Sequence, residues 1–473
     1  MKLSAPSFVR SLAPLVVLLA ACRAGERLTE RFQPRTPHEK YAAALADAGL
    51  DRTVLGRRWL DAAQQSLRTP ATVSLPFQEA GYFGEADAAA VAYQFAARRG
   101  QRVVAELTTE SAGHAAVFVD VFAPPADSAG APRGLTSADS LARGGTVRLD
   151  FEPEQDGSYV LRLQPELLRG VRYHITVRAE ASLAFPVSGR DSRAVRSGWG
   201  AERDGGRRSH QGVDIFAPRG TPVLAAADGW VRNVGITTLG GKVVWVSDPL
   251  RGQSLYYAHL DSQIARVGDR VKIGDTLGLV GNSGNARTTP PHLHFGIYRR
   301  GWGAIDPFPF VHTPRDLVPR LTADTGALGS WRRTDSRVAL LSAPAAGTSV
   351  ATVAQLAPRT PLRIIAAAAG AYRAELPDGR VGYVRATATE PAATPLSTVR
   401  PAQATALLDH PSPRGVTIDS VAARVALLVL GRYGDYALVR TEGGRLGWLQ
   451  QQQAPVSTVA HSPSPTRRRA AGD

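Results

Sequence analysis

The sequence predicts a mainly β, multidomain protein, and three observations carry that reading. Short runs alternating apolar with polar residues, separated by turn residues, fill most of residues 71–312. Amphipathic helical spacing is confined to a short stretch before them. Near the C-terminus a set of motifs recurs at an offset of about 65 residues, a small-domain period. The chain has 473 residues, room for about three or four domains. Its 44% apolar and 21% charged content is ordinary for folded domains.

Lys2 and Arg10 lead an apolar stretch from Leu12 to Ala21. About ten such residues are too few to span a bilayer and suit a signal peptide over residues 1–21. The ending Leu19-Ala20-Ala21-Cys22 resembles a bacterial lipoprotein signal. That resemblance implies lipidation of Cys22 and a membrane partner through the lipid. The alternative is an ordinary signal peptide with an incidental cysteine. Cys22 is the chain's one cysteine, so no internal disulfide framework exists. Arg23, not aspartate, follows it, which favours the outer membrane, facing the periplasm. Residues 22–36 read as a polar tether.

Residues 37–70 read as a helical hairpin. Thr36-Pro37-His38-Glu39 supplies an N-cap, a proline at the first position and a glutamate at the third. Tyr41, Ala44, Leu45 and Ala48 make one face, and Gly49 suits the C-terminal end. Asp51 is placed to cap a second helix carrying Val54, Leu55, Trp59, Ala62 and Leu67. Residues 71–187 then change to short alternating runs such as T-V-R-L-D-F and Y-H-I-T-V-R-A, with turn signals such as Asp156-Gly157. This pattern predicts a β-sandwich, in which His114 and His174 are structural.

Residues 195–312 read as a further antiparallel β domain, with Gly240-Gly241 marking a hairpin turn. Asp228, Asp248, Asp261, Asp269 and Asp275 flank its strands and are read as turn residues rather than ligands. The repeat divides the C-terminal third into residues 330–392 and 396–454. Ala339-Leu340-Leu341 recurs as Ala406-Leu407-Leu408. Gly379-Arg380-Val381-Gly382-Tyr383 recurs as Gly444-Arg445-Leu446-Gly447-Trp448. These glycine-aromatic hairpins resemble bacterial SH3-like domains, and Tyr383 and Trp448 are read as core aromatics. Residues 455–473 read as a disordered basic tail.

The net charge is +15 and the isoelectric point about 10.4, nearly all from arginine. Such a chain suits an anionic polymer or lipid surface. No nucleic-acid-binding signature stands out and the export signal points outside the cytoplasm, so no nucleic-acid partner is expected.

Four of the ten histidines lie between His210 and His294. With Asp214 they make five candidate site residues: His210 and Asp214 in S-H-Q-G-V-D, His259 in Y-Y-A-H-L, and His292 and His294 in H-L-H-F. Imidazole and carboxylate are zinc ligands, and a catalytic zinc needs three of them with an open position for water. In a strand, residues two or four apart share a face, which groups His292 with His294 and His210 with Asp214. A helix would also place the second pair on one face, but Gly212 and Pro218 argue against it.

The run from His210 through H-L-H-F closely resembles the lysostaphin-type (LytM-like) zinc endopeptidases, which hydrolyse peptide bonds in peptidoglycan. The resemblance covers about residues 195–310. It implies that His210, Asp214 and His294 bind zinc (Zn2+), and that His259 and His292 polarise the water and stabilise the oxyanion, without saying which does which. Gly296 stands where the family often has glutamate, and Thr288-Thr289-Pro290-Pro291 departs from the commoner approach to His292. Two neutral histidines and a carboxylate leave a zinc site of net charge about +1, so the metal stays a strong Lewis acid. Some LytM-like domains have lost ligands and act as non-enzymatic activators of other wall hydrolases; the intact set argues against that here. Deletion of residues 330–473 is expected, on the sequence, to spare hydrolysis of soluble peptides and weaken action on intact wall.

Overall fold

A computed structural model describes residues 35–111, 115–124, 133–140, 145–203, 205–314, 316–344, 350–451 and 459–460. The signal peptide, Cys22, most of the tether, His114 and nearly all of the basic tail lie outside the described residues. The described chain is mainly β, as expected. None of its helices is long and apolar enough to cross a membrane.

Helices Pro37–Asp47 and Val54–Arg68 form the hairpin. Thr36 and Glu39 complete a capping box, satisfying two N-terminal donors. Two details differ from the sequence reading. Ala44 and Ala48 are exposed, and the buried face is His38, Tyr41, Ala42 and Leu45. The shift follows from His38, which stacks on Trp59 at 4.8 Å and donates to Gln164 Oε1 at 2.7 Å. The second helix is capped by Thr53, whose hydroxyl accepts from Gly56 N–H, while Asp51 lies in the preceding 3-10 turn. The pair packs on the sandwich through Trp59 Nε1, which donates to Pro165 O at 2.8 Å.

The sandwich has two sheets. One has strands Ala71–Thr72, Val91–Ala97, Gly157–Pro165, Val117–Ala123 and Arg133–Asp139 in spatial order. The other contains Phe77–Phe83, Val171–Ala181, Gln101–Ser111 and Thr146–Phe151. Alternation decides the burial: along Thr146–Phe151 every second residue faces the core. His174 Nε2 donates to Gln78 Oε1 at 3.2 Å, away from the site.

The second sheet does not end at Phe77–Phe83. Ala80 and Gly81 pair with Ala367 and Ala366 of strand Pro361–Ala368, so the sandwich and residues 331–391 share one 11-stranded sheet. Beneath this junction Glu79, fully buried, accepts from Tyr93 (2.5 Å), Tyr173 (3.1 Å) and Tyr383 (3.0 Å). Arg373 Nη2 lies 3.0 Å from the same carboxylate. Tyr383 and Trp448 are core residues, 2% and 3% exposed.

The repeat is visible in topology. Strands Thr352–Leu356, Val338–Leu341, Val381–Arg385, Ala371–Glu375 and Pro361–Ala368 lie in that spatial order. Their counterparts Thr417–Val421, Thr405–Leu408, Leu446–Gln450, Tyr436–Arg440 and Leu427–Tyr433 repeat it in a separate sheet.

Between these regions lies a ten-stranded sheet whose main path runs Val195–Ser197, Val213–Phe216, His292–Arg299, Gln253–Gln263, Gly241–Asp248, Gly229–Thr237 and Arg270–Val271. It has its own apolar core, which also takes in Leu183, Val187, Phe310 and Val311. Arg251 ties it to the sandwich by pairing with Glu152 and donating to Ser182 O.

Candidate active site

The three strands Val213–Phe216, His292–Arg299 and Gln253–Gln263 are neighbours in the middle of this sheet. Asp214 pairs directly with His294, and Phe216 with His292. On the other side His294 pairs with Ala258. Cross-strand partners share a face, so Asp214, His292 and His294 point the same way. His210 sits just before the first of these strands, not within it. Its backbone is pinned by His210 N–H to Ala201 O (2.8 Å) and Gly200 N–H to His210 O (2.9 Å).

His259 is the exception to simple alternation. It follows Ala258, which shares the face of His294, so a regular strand would send His259 to the opposite face. The pairing with Gly241–Asp248 shifts register at this point, between Lys242 and Val244. His259 also has φ of 61°, a left-handed conformation that costs a non-glycine residue about 1–3 kcal/mol. Its backbone N–H donates to Gly240 O at 2.7 Å. The bulge turns the ring back onto the site face, 5.0 Å from His292 and 5.9 Å from His294 between centroids.

Three donor atoms converge. His210 Nε2, Asp214 Oδ1 and His294 Nδ1 form a triangle with edges of 3.0 Å. Among the described residues this is the one group of metal-ligating side chains found so placed. A tetrahedral zinc with bonds of about 2.0–2.1 Å sets its ligands about 3.3 Å apart, so the triangle fits such an ion with little adjustment. The set is also the right chemistry: two imidazole nitrogens and a carboxylate turned toward one point call for a cation. Burial pushes the Asp214 carboxyl up, but hydrogen bonds and charge from His210 and His294 outweigh it and hold it well below the usual range.

Backbone carbonyls fix the imidazole tautomers. A carbonyl only accepts, so the nitrogen facing it carries the proton. Nδ1 of His210 donates to Gly198 O (2.8 Å), that of His259 to Ser283 O (2.9 Å) and that of His292 to Pro290 O (2.9 Å). In the neutral form of each ring the lone pair is therefore on Nε2. Burial, with the neighbouring His292 and His294, lowers the His259 pKa to about 4, so it is neutral at pH 7. The unusual Pro290-Pro291 approach therefore acts on the site: Pro290 supplies the carbonyl that orients His292.

Gly212, in the middle of the His210–Asp214 motif, is required by close approach. A Cβ there would lie 2.6 Å from His294 Cε1 and 2.7 Å from Phe295 O. At Gly296 a Cβ would meet Tyr298 at 3.1 Å, which leaves the face beyond His294 to an aromatic group of Trp245, Tyr256 and Tyr298. The five aspartates read as turn residues lie outside the donor triangle. Asp269 and Asp275, for instance, accept from Arg266 and Lys272 N–H in tight turns.

Sequence reasoning missed Arg203. Its Nη2 donates to Asp214 Oδ2 and to Ser197 Oγ, both at 2.6 Å. An arginine in a two-residue strand beside a glycine-rich stretch carries no spacing signal that marks it. Phe216, stacked 5.0 Å from His292, was also missed, although its two-residue offset from Asp214 puts it on the same face.

A β-sheet carrying three convergent metal donors and two carbonyl-oriented histidines has the form of a hydrolytic metal site. Residues 208–307 match the model of peptidase family M23, so the chain contains an M23 peptidase domain. The L-Ala–D-Glu endopeptidase of Bacillus subtilis is 38% identical over 140 residues, 27% of this chain and 42% of that protein. The peptidoglycan DD-endopeptidase ShyC of Vibrio cholerae is 37% identical over 125 residues, 25% of this chain and 28% of that protein. The chain thus spans less than half of the length of these relatives. Among solved structures, the catalytic domain of lysostaphin from Staphylococcus simulans is 32% identical, with a TM-score of 0.23, covering 25% of this chain and 94% of that one.

Proposed function

We propose that this protein is a cell-envelope zinc metalloendopeptidase that hydrolyses peptide cross-links of peptidoglycan. The observation that carries the reading is the donor triangle of His210, Asp214 and His294, with the free Nε2 atoms of His259 and His292 on the same face. The names of the two relatives, both endopeptidases, support the reaction class. A zinc ion bound there supplies Lewis acidity and a water acidified to a pKa near 7.

The chain's own residues supply the proton handling. With Nδ1–H engaged by carbonyls, His259 and the neutral tautomer of His292 each direct a lone pair from Nε2. Either can accept a proton as a water attacks an amide carbonyl. The ring that takes it becomes a charged N–H donor, suited to the developing oxyanion or the leaving amine. Phe216 and the buried surroundings exclude water from one side of His292, which strengthens these interactions.

Alanine at His259 or His292 is therefore expected to leave metal bound and lower turnover by about 10²–10³, the effect of removing one oxyanion-stabilising donor in a protease. Metal content and turnover on purified peptidoglycan, with mass spectrometry of the released fragments, check this and identify the scissile bond. Metal loss from either variant would overturn the assignment.

The envelope location rests on the N-terminal sequence and the wall substrate. Lipidation at Cys22, read from Leu19-Ala20-Ala21-Cys22, supplies the anchor. One acyl chain holds a protein only marginally, and the two or more of a lipoprotein hold it stably. Cys22→Ser is expected to abolish labelling by radioactive fatty acid and to move the protein from membrane to soluble fractions. A variant that stays in the membrane pellet would exclude the anchor.

A further inference from the structure

We propose that Arg203 is a positioning residue that divides the two oxygens of Asp214 and so presets the metal site. The inference rests on the reading that His210, Asp214 and His294 hold a metal. Asp214 Oδ1 faces His210 Nε2 and His294 Nδ1 at 3.0 Å each. Oδ2 points away and takes the Arg203 guanidinium at 2.6 Å. Among the described residues Arg203 is the donor to that oxygen. The carboxylate is thereby held with one oxygen for the metal and one for the protein.

The support around it is built in. Ser197, the second acceptor of Arg203 Nη2, pairs with Asp214 across the neighbouring strand. Its Oγ lies 3.4 Å from His210 Nδ1. Arg203 itself belongs to a two-residue strand, Glu202–Arg203, paired with Arg208–Ser209, which leads directly into His210. One short hairpin therefore orders a ligand and the clamp on a second ligand.

Arginine suits this task. Its planar fork is always charged and can satisfy the carboxylate and the hydroxyl together, where lysine offers a flexible point charge. A charge-assisted bond of 2.6 Å is short and strong. Without it the buried Asp214 has an unsatisfied oxygen and is free to rotate out of the triangle. Residues that orient metal ligands typically contribute 10–100-fold in metal affinity. The opposite effect also has a physical basis: the guanidinium adds positive charge beside the cation and could weaken its binding. The sign of the effect decides between them.

The test uses the full chain, stripped with chelator and titrated with zinc against a competing chromophoric chelator. Arg203→Met is expected to weaken zinc binding about 10–100-fold. Arg203→Lys is expected to fall between it and wild type. Arg300→Met, at an exposed turn, should not change it. Circular dichroism of the metal-free proteins checks that the sheet is retained, and Arg203→Lys carries the test if Arg203→Met does not fold. Zinc affinity unchanged within about twofold in both variants overturns the proposal. So does tighter binding, which would make the guanidinium a competitor of the metal. A wild-type chain that binds no zinc strikes instead at the metal reading itself.

Discussion

Replacing His210, Asp214 or His294 with alanine is expected to reduce bound zinc from near-stoichiometric to background and to abolish hydrolysis. A catalytic zinc held by three protein ligands has none to spare. Among the described residues no further histidine or carboxylate is grouped with the triangle to take over. His292 Nε2, 4.0 Å from Asp214 Oδ1, is the nearest alternative, but Pro290 O fixes its ring. The loss should also appear without any substrate. A ligand that binds only the folded state stabilises it by about 2.7 kcal/mol at a hundred times its dissociation constant. Zinc should therefore raise the melting temperature of the wild type and leave that of the three variants unchanged. Metal analysis and thermal unfolding with and without zinc check this. A full equivalent of zinc in all three variants would falsify the ligand assignment.

The spacing of His292-x-His294 was enough to place those two on one face, because period-two alternation maps directly onto a sheet. The four-residue spacing of His210 and Asp214 was read the same way, but only Asp214 lies in the strand. The alternation rule also fails at His259. Counting along the strand sends it to the wrong side, and only the bulge and the positive φ bring it back. Neither has a glycine to announce it. Arg203 was invisible for a related reason: its role depends on a short hairpin that brings its guanidinium onto Asp214. At the helices, the capping box was legible from Thr36 and Glu39. The buried face was not, since His38 is buried by stacking on Trp59 rather than by its own hydrophobicity.

The repeat was legible from its motifs, but the way its first copy joins the sandwich was not. Ala80, Gly81, Ala366 and Ala367 are small residues in unremarkable alternating runs, yet they pair and fuse two sheets. That join changes what a deletion should do. The sequence alone suggested that removing residues 330–473 would spare the peptidase's action on soluble peptides. The cut would in fact strip the strand Pro361–Ala368 from Phe77–Phe83, leaving an open edge prone to association. It would also remove Arg373 and Tyr383 from buried Glu79, and with them part of the sandwich core.

Leaving one member of a buried ion pair without its partner costs about 3–5 kcal/mol, a large part of the 5–15 kcal/mol that holds a domain folded. For a region of this size that is a fall in melting temperature of roughly 6–20 °C. Residues 1–329 are therefore expected to aggregate or to melt that much earlier. Residues 1–395 keep the shared sheet and the Glu79 cluster, and lose the packing of Trp448 on Trp331 and the bond from Arg333 to Leu430 O. Their sandwich should melt close to the full chain. Arg373→Met in the full chain isolates the buried charge and should move the melting temperature in the same direction as the longer deletion. Residues 183–314 have an apolar core of their own and should keep zinc and hydrolysis of a soluble cross-link peptide. Calorimetry of the four proteins, with zinc analysis of the last, decides the matter. If residues 1–329 melt like the full chain, the shared sheet is a contact between independent units and the original deletion logic stands.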